Sequence, residues 1–320
     1  MSILLRADSG NNLTTPTRGG QTTTQQINKS TTQQKTMYNY HTHSRFSDGS
    51  AEPVDYVYEA MLQGFTSLGF SEHSVLPFDN TFALKPEDEL LYCNTINELK
   101  KQYDGRLHLL LALEADFIPG ISEPFSSSKA RLSLDYIIGS VHLVKNAEGE
   151  LWFIDGPRRE TYDKGLDQFF SGDIRKGVTA YWHQINQMLE EEVFEIIGHL
   201  DKIKMHNQER WFREDEPWYS DLVNETLDLI SEKQVIVEVN TRGIYKGRCP
   251  HLFPGEHILR RLSELNIPVM LSSDAHQPEE LSMYFKEAGM ILQQCGLRSL
   301  TVFGKNGWQQ KAIEDVVQLI

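Results

Sequence analysis

Residues 38–43 read YNYHTH, and the chain continues SRFSDGS to residue 50. An aromatic, β-favouring run ends in two histidines spaced two apart. The same form, an apolar β-rich run closing on polar groups, recurs along the chain. It is seen in TSLGFSEH (66–73), LHLLLALEAD (107–116), DYIIGSVH (135–142), FEIIGHLD (194–201), VIVEVN (235–240) and PVMLSSDAH (268–276). Between most of these runs lie amphipathic helical patterns. PVDYVYEAMLQGF carries Pro53 in its first turn. PEDELLYCNTINELKKQY has its acids first and its lysines last, as the helix dipole favours; SDLVNETLDLISEK and GEHILRRLSELN read the same way. Strand–helix alternation predicts an α/β fold, a parallel sheet with helices outside it. No internal repeat is visible.

In a parallel barrel the carboxyl ends of the strands share one rim, so polar residues far apart in sequence converge there. These are His41 and His43, Glu72 and His73, Glu114, His142, His199 and Asp201, Glu238 and Asn240, and Asp274 and His276. Strand period two puts His41 with His43, His199 with Asp201, and Asp274 with His276 on common sides. Glu72 and His73 are adjacent and point apart, so one of them at most is a direct ligand. A single histidine is more often a hydrogen-bonded structural residue than a ligand. Here six of the eleven histidines sit at strand ends beside Glu114 and Asp274, and six independent structural roles are a poor explanation. Mixed imidazole and carboxylate donors suit zinc, manganese or iron. There are too many for one ion, so two or three divalent ions are expected.

Composition narrows the alternatives. Thirty-one Lys and Arg stand against 45 Asp and Glu, a net charge of −14. That balance, without basic stretches, disfavours a nucleic-acid partner. No apolar run approaches the ~18 residues of a membrane span. Cys93, Cys249 and Cys295 are scattered, which fits free thiols in a reducing, cytoplasmic setting. Residues 1–36, rich in Thr, Gln and Gly, lack the apolar residues to offset their ordering entropy; a disordered tail is expected there, with the native start at Met37. The catalytic domain is expected over 37–320. Two insertions interrupt it: a hairpin-like excursion at 143–160 and a polar, aromatic loop at 202–219. Loops after barrel strands shape substrate pockets.

The motifs HTHSRFSDGS, SEHS, LEAD, GSVH, GHLDKIKMHN and SSDAH, in this order, resemble the PHP (polymerase and histidinol phosphatase) family over nearly everything after residue 37. The resemblance implies a distorted TIM-like (β/α)7 barrel with its metal site at the carboxyl ends of the strands. Carried over by position, one ion takes His41, His43, Glu114 and Asp274. A second takes Glu114, His142 and His199. A third takes Asp48, His73 and His276, with Asp48 standing where some relatives have histidine; the plainer role of Asp48 is that of a turn residue before Gly49.

GSVH with a Trp-containing insertion, HLDKIKMHN, and EVNTRGIYKGRCPHLFP resemble the histidinol-phosphatases within that family. The implied substrate is a small phosphate ester, L-histidinol phosphate, in histidine biosynthesis. The alternative is a phosphodiesterase or nuclease on the same metals, or a phosphatase for another small ester. Paired cations activate water and neutralise phosphoryl oxygens. Asp201 is the candidate to protonate the leaving alkoxide or to orient a ligand. Lys204, Arg242 and Arg248 are candidates to grip phosphate, ahead of Lys246 and Arg175; solvated surface charge is the common fate of such residues. Trp152, Trp211 and His206 are placed by the insertions to cover an imidazole-bearing substrate, although packing is the commoner role for tryptophan.

Overall fold

The computed structural model describes residues 37–317; the expected tail at 1–36 lies outside the described residues. Seven strands carry the sheet. They are β1 (Met37–Asn39), β2 (Phe65–His73), β3 (His108–Asp116), β4 (Tyr136–Ser140) and, after a hairpin of β5 (Leu143–Lys145) and β6 (Leu151–Phe153), β7 (Ile196–Ile197), β8 (Ile236–Asn240) and β9 (Val269–Ser272). Their order is β1-β2-β3-β4-β7-β8-β9, with every neighbouring pair parallel. The seam between β9 and β1 closes only at the rim. Thr42 bridges Ala275, with His43 N–H donating to Ala275 O at 2.8 Å and Ala275 N–H to His41 O at 3.1 Å. The result is a nearly closed, distorted seven-stranded barrel.

All seven strands fall inside the expected runs or within a residue of them, but several ladders stop early. β1 ends at Asn39 rather than 43, because Thr42 turns to Ser71: its amide donates to Ser71 Oγ at 3.1 Å and its carbonyl accepts from Ser71 N–H at 2.9 Å. β7 is two residues long. Its chain continues through Gly198, where a Cβ would meet Ser140 Oγ at 2.4 Å, so only glycine allows His199 to approach this closely. β9 ends before Asp274, whose φ of 51° is left-handed. A non-glycine residue is costly in that region, and such conformations cluster at functional sites.

The helix Pro53–Gln63 starts on Pro53, with Asp55 accepting from Glu52 N–H, and stops at left-handed Gly64. The helix Glu89–Gln102 begins three residues after Pro86 and ends on Lys100 and Lys101. The insertion at 143–160 contains the antiparallel β5–β6 pair. The insertion at 202–219 opens with a single tight turn of helix, Lys202–Lys204, and ends where the helix Pro217–Lys233 begins. An antiparallel hairpin of β10 (Ser299–Gly304) and β11 (Gly307–Ala312) was not anticipated. It lies at the amino-terminal ends of the barrel strands, where Phe303 N–H donates to Tyr40 Oη at 2.9 Å and Trp308 packs edge-on against Tyr40 and Tyr136.

Candidate metal centre

Glu114, near the end of β3, stands at the middle of the rim and is fully buried. Its Oε2 lies 3.2 Å from His41 Nε2, 3.4 Å from His43 Nε2 and 3.0 Å from His73 Nδ1. Its Oε1 lies 2.9 Å from His199 Nε2 and 3.4 Å from His142 Nε2. Asp274 Oδ1 adds a second carboxylate, 3.8 Å from His41 Nε2 and 3.5 Å from His43 Nε2. Toward the opening, Asp48 Oδ1 lies 3.1 Å from His276 Nε2 and 3.7 Å from His73 Nε2. The nine side chains expected as ligands therefore converge at the rim, seven of them in three overlapping groups: His43, Asp48, His73 and His276; His41, His43 and Glu114; and His73, Glu114 and His142. His43 and His73 each stand between two of them, which the carried-over sets had not anticipated.

The donor set fits metal ions. His41 Nε2, His43 Nε2, His73 Nδ1 and Asp274 Oδ1 are buried with no hydrogen-bond partner, although carboxylate oxygens or imidazole nitrogens lie nearby. Each of the three nitrogens lies 3.0–3.4 Å from Glu114 Oε2, and Asp274 Oδ1 lies 3.5–3.8 Å from two of them. Orphaned buried polar atoms are expensive, and a cation at the shared point satisfies them. Separations of 2.9–3.8 Å between donors are what bonds of about 2.0–2.2 Å to one ion produce. Electrostatics split the histidines: against burial, which lowers them, the neighbouring carboxylates raise His41, His73 and His142 above the usual imidazole range. Burial, then His73 and His276, holds the His43 imidazole down at about 3, in its neutral, metal-ligating form. Burial alone would push Glu114 up, but the surrounding histidines, His41 foremost, hold it well below the usual range.

Neighbouring groups fix the ligands. His41 Nδ1 pairs with Glu238, which also accepts from His199 N–H at 2.7 Å and from Ser272 Oγ. His142 Nδ1 pairs with Asp116 at 3.0 Å. Glu72 points away from the ligand cluster, as its neighbour's orientation requires. It accepts from Ser44 N–H and Oγ and from Ser47 Oγ, and so ties down the turn between His43 and Asp48. In that turn a Cβ on Gly49 would fall 2.0 Å from His43 O.

The chain matches the PHP domain family over residues 39–242, more than half its length. It belongs to the PHP family. The PHP site opens into a cavity of about 450 Å³ lined by Asp48, His73, Glu114, His142, Asp274 and His276. A larger hollow of about 700 Å³ lies at the other end of the barrel, but the ligand clusters found among the described residues are all at the rim.

Two of the four expected catalytic residues line the PHP cavity. Arg242 is nearly buried; its Nη1 donates to Asp274 O at 2.6 Å and lies 3.7 Å from Glu280. Arg248 has no side-chain hydrogen bond or ion pair among the described residues. The structure does not bring Asp201 and Lys204 to the cavity. Both are buried, 2.7 Å apart, with Asp201 also accepting from Gly255 N–H and Lys204 lying 3.3 Å from Glu214. Period two failed for His199 and Asp201 because the chain leaves strand geometry at Gly198. Arg175 stacks over Trp218, Trp152 is fully buried and donates to Tyr162 O, and His206 bonds Gly156 O. None of these three lines the cavity. The aromatic lining comes instead from Phe82 and Phe153, with Asp155 beside them.

Relatives agree with this family assignment. A protein of Deinococcus radiodurans named "Probable histidinol-phosphatase" is 27% identical over 78% of this chain and 89% of its own. The "Histidinol-phosphatase" of Bacillus subtilis is 25% identical over 80% and 98%. The structure of the Lactococcus lactis histidinol phosphate phosphatase, complexed with zinc, L-histidinol and phosphate, shares the fold: the TM-score is 0.62 at 18% identity, covering 86% of this chain and 99% of that one.

Proposed function

We propose that this PHP protein is a metal-dependent phosphomonoesterase that hydrolyses L-histidinol phosphate to L-histidinol and phosphate, in the cytoplasmic histidine pathway. The observation that carries the reading is the set of buried donors without hydrogen bonds, placed beside two arginines in a cavity sized for a small ester. The relatives' names supply the substrate.

His41, His43, Glu114 and Asp274 would hold one divalent ion and Glu114, His142 and His199 a second. Asp48, His73 and His276 would hold a third, with zinc, manganese or iron the fitting metals. Such ions supply Lewis acidity that activates water and neutralises phosphoryl oxygens. Arg242, braced by Asp274 O and Glu280, presents a fixed guanidinium to the phosphate, and Arg248 adds an unpaired one at the mouth. Asp201 and Lys204 act at one remove, their ion pair holding the loop that carries His199. Glu238 and Asp116 fix the orientations of His41 and His142.

The test is phosphate release by protein loaded in turn with Mn²⁺, Zn²⁺ and Fe²⁺, on L-histidinol phosphate, mononucleotides and oligonucleotides. Turnover of L-histidinol phosphate above the others is expected. A fully loaded protein that leaves it intact refutes the assignment, and preferential cleavage of oligonucleotides replaces it with a nuclease.

A further inference from the structure

Asp155 has no place in the ligand sets or the phosphate grip, yet it faces the same cavity. It lies just beyond β6, in the hairpin insertion, and its side chain is mostly buried. One carboxylate oxygen, Oδ1, lies 2.7 Å from the buried ammonium of Lys202. The other, Oδ2, lies 3.8 Å from His142 Nε2, the nitrogen that faces Glu114 and His199. The ion pair with Lys202 keeps Asp155 an anion, with one oxygen held and the other turned to the ligand cluster. Beside it Phe82 and Phe153 stack at 5.5 Å, and Phe82 packs against both His73 and His142. The same cavity is lined by the cationic side chains Arg242, Lys246 and Arg248. It thus offers both cations and a carboxylate set beside an aromatic pair.

A phosphate monoester that also carries an ammonium group matches that division of charge. We propose that Asp155 Oδ2 receives the substrate's ammonium group, while Phe82 and Phe153 flank its carbon skeleton, so that the cavity selects phosphate esters of amino alcohols. Lys202 is the positioning residue that aims the carboxylate. The inference rests on the phosphatase reading above. In such an ester the amine sits two carbons from the leaving oxygen. An ester held at the ligands around His142 therefore carries its ammonium a short reach from Asp155. A carboxylate there offsets the repulsion an ammonium would otherwise meet beside bound cations.

The test compares L-histidinol phosphate with its deamino analogue, 3-(imidazol-4-yl)propyl phosphate, on metal-loaded wild type, D155N and D155E, with bound metal measured for each. Wild type should favour the amine ester by about 10- to 100-fold in kcat/KM, the range for a hydrogen bond to a charged group. D155N should lose most of that preference while binding as much metal as wild type, and D155E should recover part of it. A wild-type ratio near one overturns the proposal, and this arm needs no variant should D155N fail to fold. D155N losing both esters equally also overturns it: with metal lost, Asp155 is an ion ligand; with metal retained, it serves the phosphoryl group. If neither ester is hydrolysed while 4-nitrophenyl phosphate is, the histidinol-phosphate reading has failed and the amine site falls with it. Hydrolysis of both without preference sinks the amine site alone.

Discussion

The two ends of the barrel interior are built on opposite terms. At the amino-terminal end Tyr38 and Tyr40 stack at 4.6 Å, and Trp308 of the β10–β11 hairpin meets Tyr40 and Tyr136 edge-on. Every one of these tyrosine hydroxyls is partnered. Tyr40 Oη reaches Ser67 Oγ at 2.7 Å and Phe303 N–H at 2.9 Å; Tyr38 Oη accepts from Leu271 N–H, and Tyr136 Oη donates to Tyr40 O. At the carboxyl end His41, His43, His73 and Asp274 each keep a buried polar atom without a hydrogen bond. One residue boundary, Tyr40 to His41, separates the two regimes. The satisfied end contributes stability that the rim does not supply; the rim keeps its donors unsatisfied because a cation is to complete them. The difference teaches where substitutions should read out as folding and where as chemistry.

The largest test of that division is Asp274→Asn. It removes a charged donor shared with His41 and His43, and with it several kcal/mol of charge stabilisation. Phosphate release should fall about 10³-fold or more, with less metal bound, while the metal-free protein unfolds close to the wild-type denaturant midpoint. An equal loss of stability would mean that the rim is structural after all and would collapse the comparison.

Glu72 sharpens the boundary, because it is a rim carboxylate whose task is to hold a turn. Burial pushes its carboxyl up from 4.5 to about 7, against the hydrogen bonds from Ser44 and Ser47. A folded-state value above the unfolded one means that the folded protein favours the protonated form. That stability is fully present below about pH 4.5 and is lost as pH rises through 7. Metal-free wild type should therefore lose on the order of 3 kcal/mol relative to Glu72→Gln between those values, read from denaturant titrations at each pH. Parallel pH profiles for the two proteins would show that Glu72 is ionised in the fold and clamps the turn as a carboxylate.

How far the sequence reached follows the same physics. Recurrent β-rich runs ending in polar groups located all seven strands and eight of the nine side chains that gather at the rim, because strand ends in a parallel barrel meet irrespective of what precedes them; the ninth, Asp48, lies in the turn after β1 and came from the family resemblance. Asp274 and His276 reach the same cluster as His41 and His43 although Asp274 already has a left-handed φ, so period two grouped them rightly without describing their backbone. It misplaced Asp201, since Gly198 carries the chain out of the strand and periodicity says nothing past that point. Asp155 and Lys202 were invisible because their meeting depends on how a hairpin insertion folds back over the rim. For Trp152 the commoner role, packing, is the one it takes: it lies under Gly165 and Gly177, whose missing side chains make room for it. The β10–β11 hairpin did leave a signal: Lys305 and Asn306 form its turn, and Asn306 is followed by Gly307, a strong local turn pair.

The smallest effect expected is at the satisfied end. Tyr40→Phe keeps the ring that packs on Tyr38, Tyr136 and Trp308 and removes only the hydroxyl. The loss is two hydrogen bonds, one to Ser67 Oγ and one from Phe303 N–H, and the second ties the hairpin to the barrel. Phe303 is only half-buried, so water can reach its freed amide and limit the cost. A destabilisation of about 1–2 kcal/mol follows, read as a lower denaturant midpoint with an unchanged slope. Activity per folded molecule should stay at the wild-type level, although Tyr40 is bonded directly to His41. If kcat falls with stability, the hydroxyl also sets the position of the first ligand, and the boundary between the two ends lies deeper in the barrel than Tyr40.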